Sequence, residues 1–157
     1  IPTEDEWYKA AYYDPLTGGY FKYATMNNTL PASVPPPGGP NAANYEWALG
    51  TELAEVGSYI DSPGPFGTFD QNGNVAEWTN SAYDEAAYNF THDLNPNYEY
   101  NAYPSDPAVL KRKVIRGGSW KDVAHLLQNG SRAYEYQDSA KSYIGFRSVR
   151  SIMGIEK

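Results

Sequence analysis

A chain of 157 residues has the size of one ordinary domain, and we expect a single domain over residues 1–157. Its formal net charge of -7 repels phosphate backbones, which excludes nucleic acid as an expected partner. The absence of cysteine excludes disulfides, thiolate nucleophiles and cysteine-ligated metals. Because the chain begins at Ile1 without a methionine, we expect a mature or trimmed piece of a longer protein.

The N-terminal segment has the pattern of a capped helix. Thr3 and Glu6 have the spacing of a capping box, in which each side chain satisfies the other residue's free amide. We predict a short helix over about residues 3–13, which ends at Asp14-Pro15 and the glycines that follow. Residues 31–40 are predicted as a loop, because their prolines lack the amide protons that a strand ladder requires.

The rest of the chain is interrupted every few residues by Gly, Pro, Asn or Asp. Apolar stretches at residues 114–120 and 143–149 predict two short strands. The basic cluster at 111–113 is predicted to be a solvated strand entrance rather than an anion site. Residues 81–107 show no period, so we expect a long ordered excursion in which residues 83–88 are a candidate helical turn.

The best candidate for an ion site is the segment at residues 70–77, with the sequence DQNGNVAE. Asp70 and Glu77 place two carboxylates on a loop that contains glycine and offers carbonyl oxygens between them. Hard oxygen ligands at flexible spacing are what calcium prefers. The alternative left open is a tight Asn-Gly turn held by its own side-chain hydrogen bonds.

Several residues are predicted to serve structure rather than chemistry. A guanidinium is costly to bury unless it is paired, so we expect Arg116 and Arg147 to hold loop carbonyls or a carboxylate in place. Gly117 and Gly118 would let the backbone turn tightly and pass close to a neighbour. The tryptophans predicted to lie in the core are Trp7, Trp78 and Trp120.

Four stretches form an ordered set: IPTEDEW at residues 1–7, FGTFDQNGNVAEWT at 66–79, VIRGGSW at 114–120 and IGFR at 144–147. Their order and spacing resemble the signature of the formylglycine-generating-enzyme (sulfatase-modifying factor) domain family. The resemblance implies an α+β fold, a C-type-lectin-like variant that is loop-rich, with small twisted sheets. It also implies calcium (Ca2+) binding through the Asp70 and Glu77 side chains and the Gly73 and Val75 carbonyls.

Enzymes of that family oxidise a substrate cysteine with copper held by two cysteines between the Gly-Gly-Ser and Gly-Phe-Arg motifs. Counted from Ser119, those two positions fall near Leu127 and Arg132, and neither side chain binds soft copper(I). We therefore expect no copper and a chain that is not an enzyme. A formylglycine-generating oxidase is the disfavoured alternative.

The second half is similar to one branch of the family, the gliding-motility lipoprotein K branch, on the runs at residues 74–84, 91–98, 111–122 and 134–147. That branch forms the periplasmic ring of the type IX secretion system. The resemblance implies a structural or assembly component that forms a homo-oligomer and binds a protein partner of the ring. It also implies a periplasmic or extracellular location, associated with the outer membrane.

The first half looks more like secreted bacterial members of the wider family. The lipidated N-terminal cysteine of the ring branch is missing from this sequence, and membrane contact would need such an anchor. A secreted peptide- or glycan-binding module is therefore the alternative function.

Overall fold

A computed structural model describes residues 1–83 and 112–150 of the chain. Most of these residues lie in turns and loops, with one helix and short strands between them, which confirms the predicted α+β class. Within these ranges no helix is long and apolar enough to cross a membrane. The elements are α1 (Glu4–Tyr12), β1 (Ala32–Ser33), β2 (Ala42–Ala43), β3 (Ala76–Ala82), β4 (Arg112–Arg116), a 3-10 turn (Ala124–Leu127), β5 (Ala133–Tyr136) and β6 (Ile144–Gly145).

Helix α1 begins with the predicted capping box. The Thr3 amide donates to the Glu6 carboxylate at 2.8 Å, and the Glu6 amide donates to the Thr3 hydroxyl at 3.2 Å. The helix ends at Tyr12, because Tyr13 adopts an extended conformation. The prediction of a short capped helix here is confirmed, with both ends within a residue of those expected.

Strand β3 lies at the centre of a four-stranded sheet with the order β5-β4-β3-β6. It runs antiparallel to β4 and parallel to β6, and a bulge interrupts its pairing with β4 between Trp78 and Ala82. The prediction that residues 70–77 form a loop is therefore wrong at residues 76 and 77. The polar and apolar residues of β3 alternate poorly, so its own sequence carries a weak strand signal.

A second, two-stranded sheet pairs β1 with β2 in parallel. The prediction that residues 31–40 form only a loop is therefore wrong at β1. Ala32 precedes the run of prolines at 35–37 and keeps an amide proton, which it donates to the Asn41 carbonyl at 2.8 Å.

The two predicted strands are shorter or displaced. Strand β4 ends at Arg116, because Gly117 and Gly118 both adopt positive φ angles, of 91° and 69°. Of residues 143–149, only β6 is a strand. Residues 84–107, with most of the predicted excursion and helical turn, lie outside the described residues, as does Lys111.

The prediction that the basic cluster at residues 111–113 is exposed to solvent is wrong for Lys113. This side chain is 7% exposed, and its ammonium group donates to the Asn80 carbonyl at 2.6 Å. A buried ammonium needs such a partner, and β3 supplies it from across the sheet.

The core is built largely from tyrosine, tryptophan and alanine, in three packed clusters. One cluster sets Trp7 and Tyr12 of α1 edge to face, with ring centroids 5.8 Å apart. A second surrounds the fully buried Leu127 with tyrosines, and a third lies around Tyr59. The polar tips of the buried tyrosines bond to loop carbonyls, and the Tyr45 hydroxyl donates to the Pro31 carbonyl at 2.6 Å.

Replacement of Thr3 by alanine removes one half of the capping box. We expect the Thr3→Ala variant to lose about 1 kcal/mol of unfolding free energy, because the Glu6 amide loses its acceptor at the helix start. Urea denaturation followed by circular dichroism measures this loss. Thr51→Ala, at an exposed turn position, is the matched control, and equal losses in the two variants would contradict the assignment.

Candidate functional site

The Glu77 carboxylate is the centre of a buried polar cluster. Glu77 lies near the start of β3, where its side chain is almost fully buried. The Trp7 indole N–H donates to its Oε2 at 2.6 Å. Arg147 binds it in a bidentate manner, with Nε 2.5 Å from Oε2 and Nη2 2.5 Å from Oε1. Three of the four motifs found in the sequence therefore meet at one carboxylate.

Arg147 also fixes the loop that precedes β3. Its Nη2 donates to the Phe69 carbonyl at 3.0 Å, and the side chain keeps 23% of its surface exposed. The arginine thus holds the segment after β6 against both β3 and the loop. Its paired charge and planar geometry make this a rigid contact.

Asp70 lies on the same loop, at a positive φ of 62°. Its Oδ2 accepts the Gly57 amide proton at 2.7 Å. Burial raises the pKa of the Asp70 carboxyl above its ordinary value, although the Gly57 hydrogen bond and the Arg147 charge act in the opposite direction. The ionised carboxylate is therefore poorly solvated in the folded chain.

An open pocket of about 380 Å³ lies above these groups. Asp70, Glu77 and Arg147 contribute to its lining. Val56 and Phe146 also line it, although 86% and 69% of their surfaces remain exposed. The pocket thus combines polar groups that are held in place with apolar side chains that solvent reaches.

The predicted calcium ligands are only partly available. Both oxygens of Glu77 already accept hydrogen bonds from Trp7 and Arg147. Among the described residues, no group of three or more acidic or histidine side chains is placed to hold a metal. Calcium takes six to eight oxygens, and the set of Asp70, Glu77 and the Gly73 and Val75 carbonyls would supply part of that number. Calcium binding there stays a prediction.

The Asn-Gly turn in this segment is tied to a neighbouring loop. The Asn74 amide donates to the Asn44 carbonyl at 2.7 Å, and the Asn74 side chain accepts the Ala54 amide at 2.8 Å. A Cβ at Gly73 would lie 2.2 Å from the Asn44 carbonyl oxygen. These bonds join the turn to other loops and are not the local side-chain hydrogen bonds of the alternative interpretation, which stays a prediction.

Arg116 is buried among aromatic rings of α1. Its guanidinium lies 5.4 to 6.0 Å from the ring centroids of Trp7, Tyr8 and Tyr12. Its Nη2 donates to the Asn129 carbonyl at 2.5 Å. The contacts are those of a structural arginine that joins β4 to the loop after the 3-10 turn.

The positions that correspond to the family's copper ligands hold no copper donors. Leu127 is fully buried in the aromatic core. Arg132 forms a bidentate pair with Glu4, at 2.7 and 2.8 Å. An apolar side chain and a paired guanidinium do not fit copper(I).

The remaining structural residues lie around this core. A Cβ at Gly117 would lie 2.7 Å from the Gln71 carbonyl, so the close approach of the two loops requires glycine. Trp120 is 8% exposed and packs edge to face on Trp47, with centroids 4.7 Å apart. Trp78 is partly buried in β3.

Sequence reasoning missed the pocket residues Val56 and Phe146. Phe146 lies in the IGFR stretch at residues 144–147, directly before Arg147. An apolar side chain beside an arginine that must be paired is the signal that could have identified Phe146 as a pocket residue. Val56 has no such signal, because only the folding of its loop brings it to the pocket.

Loss of the Glu77 charge should weaken the fold. The Glu77→Gln variant is expected to lose about 3 kcal/mol of unfolding free energy, because a partly buried Arg147 is left without its counter-charge. Chemical denaturation provides the measurement. Glu135→Gln is the matched control: Glu135 pairs with exposed Lys141 at 4.0 Å, and a loss below about 1 kcal/mol is expected. A Glu77→Gln loss no larger than the control's would contradict the role of the pair.

Titration of Asp70 should show its raised pKa. Because the folded-state pKa lies above the ordinary value, this group's contribution to stability is present below the ordinary pKa and is lost as pH rises through the folded-state pKa. Carbon-13 NMR of the carboxyl groups measures this directly. Asp14 is an internal comparison, since hydrogen bonds from the Thr17 hydroxyl and the Leu16 amide lower its pKa. An Asp70 that titrates below Asp14 would contradict the assignment.

Comparison with curated proteins gives distant relatives. The chain is 31% identical over 156 residues to serine/threonine-protein kinase pkn1 of Chlamydia pneumoniae, a match that covers 97% of this chain and 21% of the kinase. It is 29% identical to hercynine oxygenase of Mycolicibacterium thermoresistibile, covering 94% of this chain and 30% of that enzyme. The hercynine oxygenase of Mycolicibacterium smegmatis matches at 26% identity. The chain spans less than a third of the length of these relatives.

These relatives correct the expectation that the chain is not an enzyme. That expectation rested on the missing cysteines, and it is overturned by the hercynine oxygenases among its relatives. The missing cysteines exclude only a copper site with cysteine ligands. One fold supports several chemistries, because activity depends on the site that the fold carries.

Solved structures show the same architecture. Treponema denticola variable protein 1 matches with a TM-score of 0.58 and 26% identity, over 93% of this chain and 45% of that one. The crystal structure of CarF matches with a TM-score of 0.59 and 27% identity, over 93% and 44%. The model of the sulfatase-modifying factor enzyme 1-like domain matches residues 1–152. The chain therefore belongs to the sulfatase-modifying factor enzyme 1-like domain family.

Proposed function

We propose that this domain is a recognition module that binds a segment of another polypeptide in the pocket between Val56 and Phe146, and so serves as an assembly component. The observation that carries the proposal is the pairing of two exposed apolar side chains with a rigid polar base. The volume of about 380 Å³ is within the range of ligand pockets. It can accept one or two side chains of a peptide.

The exposed side chains favour binding over a purely structural role. Phe146 and Val56 would bury apolar surface when a partner covers them, which stabilises a complex. Aromatic residues placed beside a pocket are frequent anchors of protein interfaces. A partner that covers Phe146 would therefore bury apolar surface at this residue.

The base of the pocket needs little ordering when a partner binds. Arg147 is held by the Glu77 carboxylate and the Phe69 carbonyl, and Asp70 by the Gly57 amide. Side chains that are already fixed lose little conformational freedom on binding. This property favours a specific site over a non-specific apolar surface.

Three finer assignments are carried as predictions. The C-type-lectin-like description of the fold and the gliding-motility lipoprotein K branch rest on the sequence resemblance. The same resemblance supports a homo-oligomeric component of a type IX secretion ring in the periplasm or at the outer membrane. Peptide binding at the pocket is compatible with that role, since a ring component must contact a neighbouring protein.

A peptide array tests the proposed function. An immobilised hexapeptide library is incubated with the purified chain and with the Val56→Ser/Phe146→Ser double variant. We expect the double variant to bind at least about tenfold more weakly, because the pocket loses both apolar contacts. Leu16→Ser is the control, since Leu16 is 94% exposed in the turn after α1.

Two outcomes would contradict the proposal. One is a wild-type chain that binds no hexapeptide, and the other is a double variant that binds as tightly as the wild type. A parallel glycan array identifies the alternative ligand class, and binding of glycans without peptides would replace the proposal.

A further inference from the structure

The turn that follows α1 presents an apolar side chain to solvent. It runs from Asp14 to Gly19, and Leu16 at its tip is 94% exposed. The Asp14 amide donates to the Gly19 carbonyl at 2.9 Å, which closes the turn. Below it, the Phe21 amide donates to the carbonyl of the fully buried Tyr12 at 2.8 Å. The core therefore fixes the base of the turn, while its tip stays in solvent.

The amide protons of this turn find acceptors within the turn itself. The Asp14 carboxylate accepts the Leu16 amide at 2.9 Å and the Thr17 hydroxyl at 2.7 Å. The Thr17 hydroxyl, the Leu16 amide and the Thr17 amide together lower the pKa of Asp14. The amides of residues 18 and 19 donate to the Asp14 carbonyl and the Thr17 hydroxyl, at 2.9 and 3.3 Å. Pro15 has no amide proton, so the amides of the turn do not depend on water.

A turn bonded in this way can enter a less polar medium at low cost. An amide proton without an acceptor is strongly unfavourable outside water, and this turn avoids that penalty. The Leu16 side chain would gain free energy by leaving water. A protein partner would need a complementary cavity for one protruding leucine, whereas a lipid surface accepts it without a cavity.

Three partly exposed tyrosines surround the base of the turn. Tyr13 and Tyr20 pair across it, and their ring centroids lie 5.4 Å apart. Tyr20 is 50% exposed, and its ring centroid lies 5.2 Å from that of Tyr8 on α1. Tyrosine suits the boundary between water and lipid, because its ring is apolar and its hydroxyl is polar. An apolar tip above a group of tyrosines therefore fits the gradient of polarity at a membrane surface.

The charge near the turn differs in sign from that of the whole chain. Residues 7–45 contain two lysines and a single acid, so their net charge is +1, whereas the chain carries -7. The lysines are Lys9 and Lys22, and the acid is Asp14. The Lys9 ammonium lies 5.6 Å from the ring centroid of Tyr13. The acids of α1 lie in its first turn, at the end opposite to Asp14. Anionic lipid headgroups attract lysines placed in this way.

We propose that the turn at residues 14–19, together with the tyrosines at its base, docks on the surface of a lipid bilayer that contains anionic lipid. Leu16 enters the boundary between headgroups and acyl chains, and Lys9 and Lys22 bind lipid phosphates. The inference goes beyond the proposed function, because none of these residues lines the pocket. Such contact would not require the lipidated cysteine with which the sequence analysis linked membrane attachment.

Co-sedimentation with vesicles tests the inference. The purified chain is mixed with vesicles of phosphatidylcholine that contain about one quarter phosphatidylglycerol, and the bound fraction is measured as lipid is added. We expect Leu16→Ser to weaken binding about tenfold, because its side chain no longer gains free energy by leaving water. Leu53→Ser changes another exposed leucine, outside the turn, and this matched control should bind as the wild type does.

A lysine variant tests the preference for anionic lipid. Lys9→Gln should weaken binding to the mixed vesicles about fivefold and leave binding to pure phosphatidylcholine unchanged. Added salt should reduce this difference, because it screens the attraction between lysine and headgroup. Lys141→Gln, at an exposed lysine outside residues 7–45, is the control and should bind as the wild type does. Circular dichroism shows whether each variant is folded.

The outcomes separate lipid binding from peptide binding. A Leu16→Ser variant that loses vesicle binding but keeps peptide binding supports the inference. A wild-type chain that binds no vesicles, or a Leu16→Ser variant that binds them equally well, overturns it and leaves the proposed function intact. Loss of vesicle binding in the Val56→Ser/Phe146→Ser variant alone would assign lipid contact to the pocket and also overturn it. Sedimentation velocity identifies the other occupant: self-association that Leu16→Ser abolishes, without vesicle binding, would replace the lipid surface by a second copy of the chain.

Discussion

The bidentate contact between Glu77 and Arg147 is the constraint on which the candidate site depends. Glu77 comes from the central strand and Arg147 from the segment after β6, 70 residues further along the chain. Trp7 of α1 donates to the same carboxylate, so helix, sheet and C-terminal segment are joined at one point. The pairing offsets the desolvation cost of the buried Glu77 carboxylate and the partly buried Arg147 guanidinium, whereas either charge left alone would be strongly unfavourable.

Local features of the fold were predictable from the sequence, and long-range pairings were not. The capping box at Thr3 and Glu6 involves residues three apart, so its geometry is set by the helix itself. Strand β3 was missed because its residues do not alternate, and its place in the sheet is set by pairing with β4 and β6. The two-residue β1 likewise exists only because β2 lies beside it.

The residues of the candidate site were predictable from the sequence, but the contacts between them were not. Asp70, Glu77 and Arg147 were each singled out, the acids as calcium ligands and the arginine as a structural residue. A sequence does not show which carboxylate an arginine will reach; here Arg147 binds Glu77, and Asp70 accepts the Gly57 amide. The absence of cysteine led to the wrong expectation that the chain is not an enzyme. Missing cysteines exclude cysteine-dependent chemistry, but they do not exclude other enzymatic reactions.

Strand β6 contributes only two residues to the sheet, Ile144 and Gly145. So short a ladder holds a segment weakly, and the Arg147 side chain supplies much of its attachment. Phe146 lies between these two anchors, so the pocket exists only while the C-terminal segment is docked. A partner segment bound against Phe146 would therefore hold this segment in place, and its binding energy would add to the stability of this edge of the sheet.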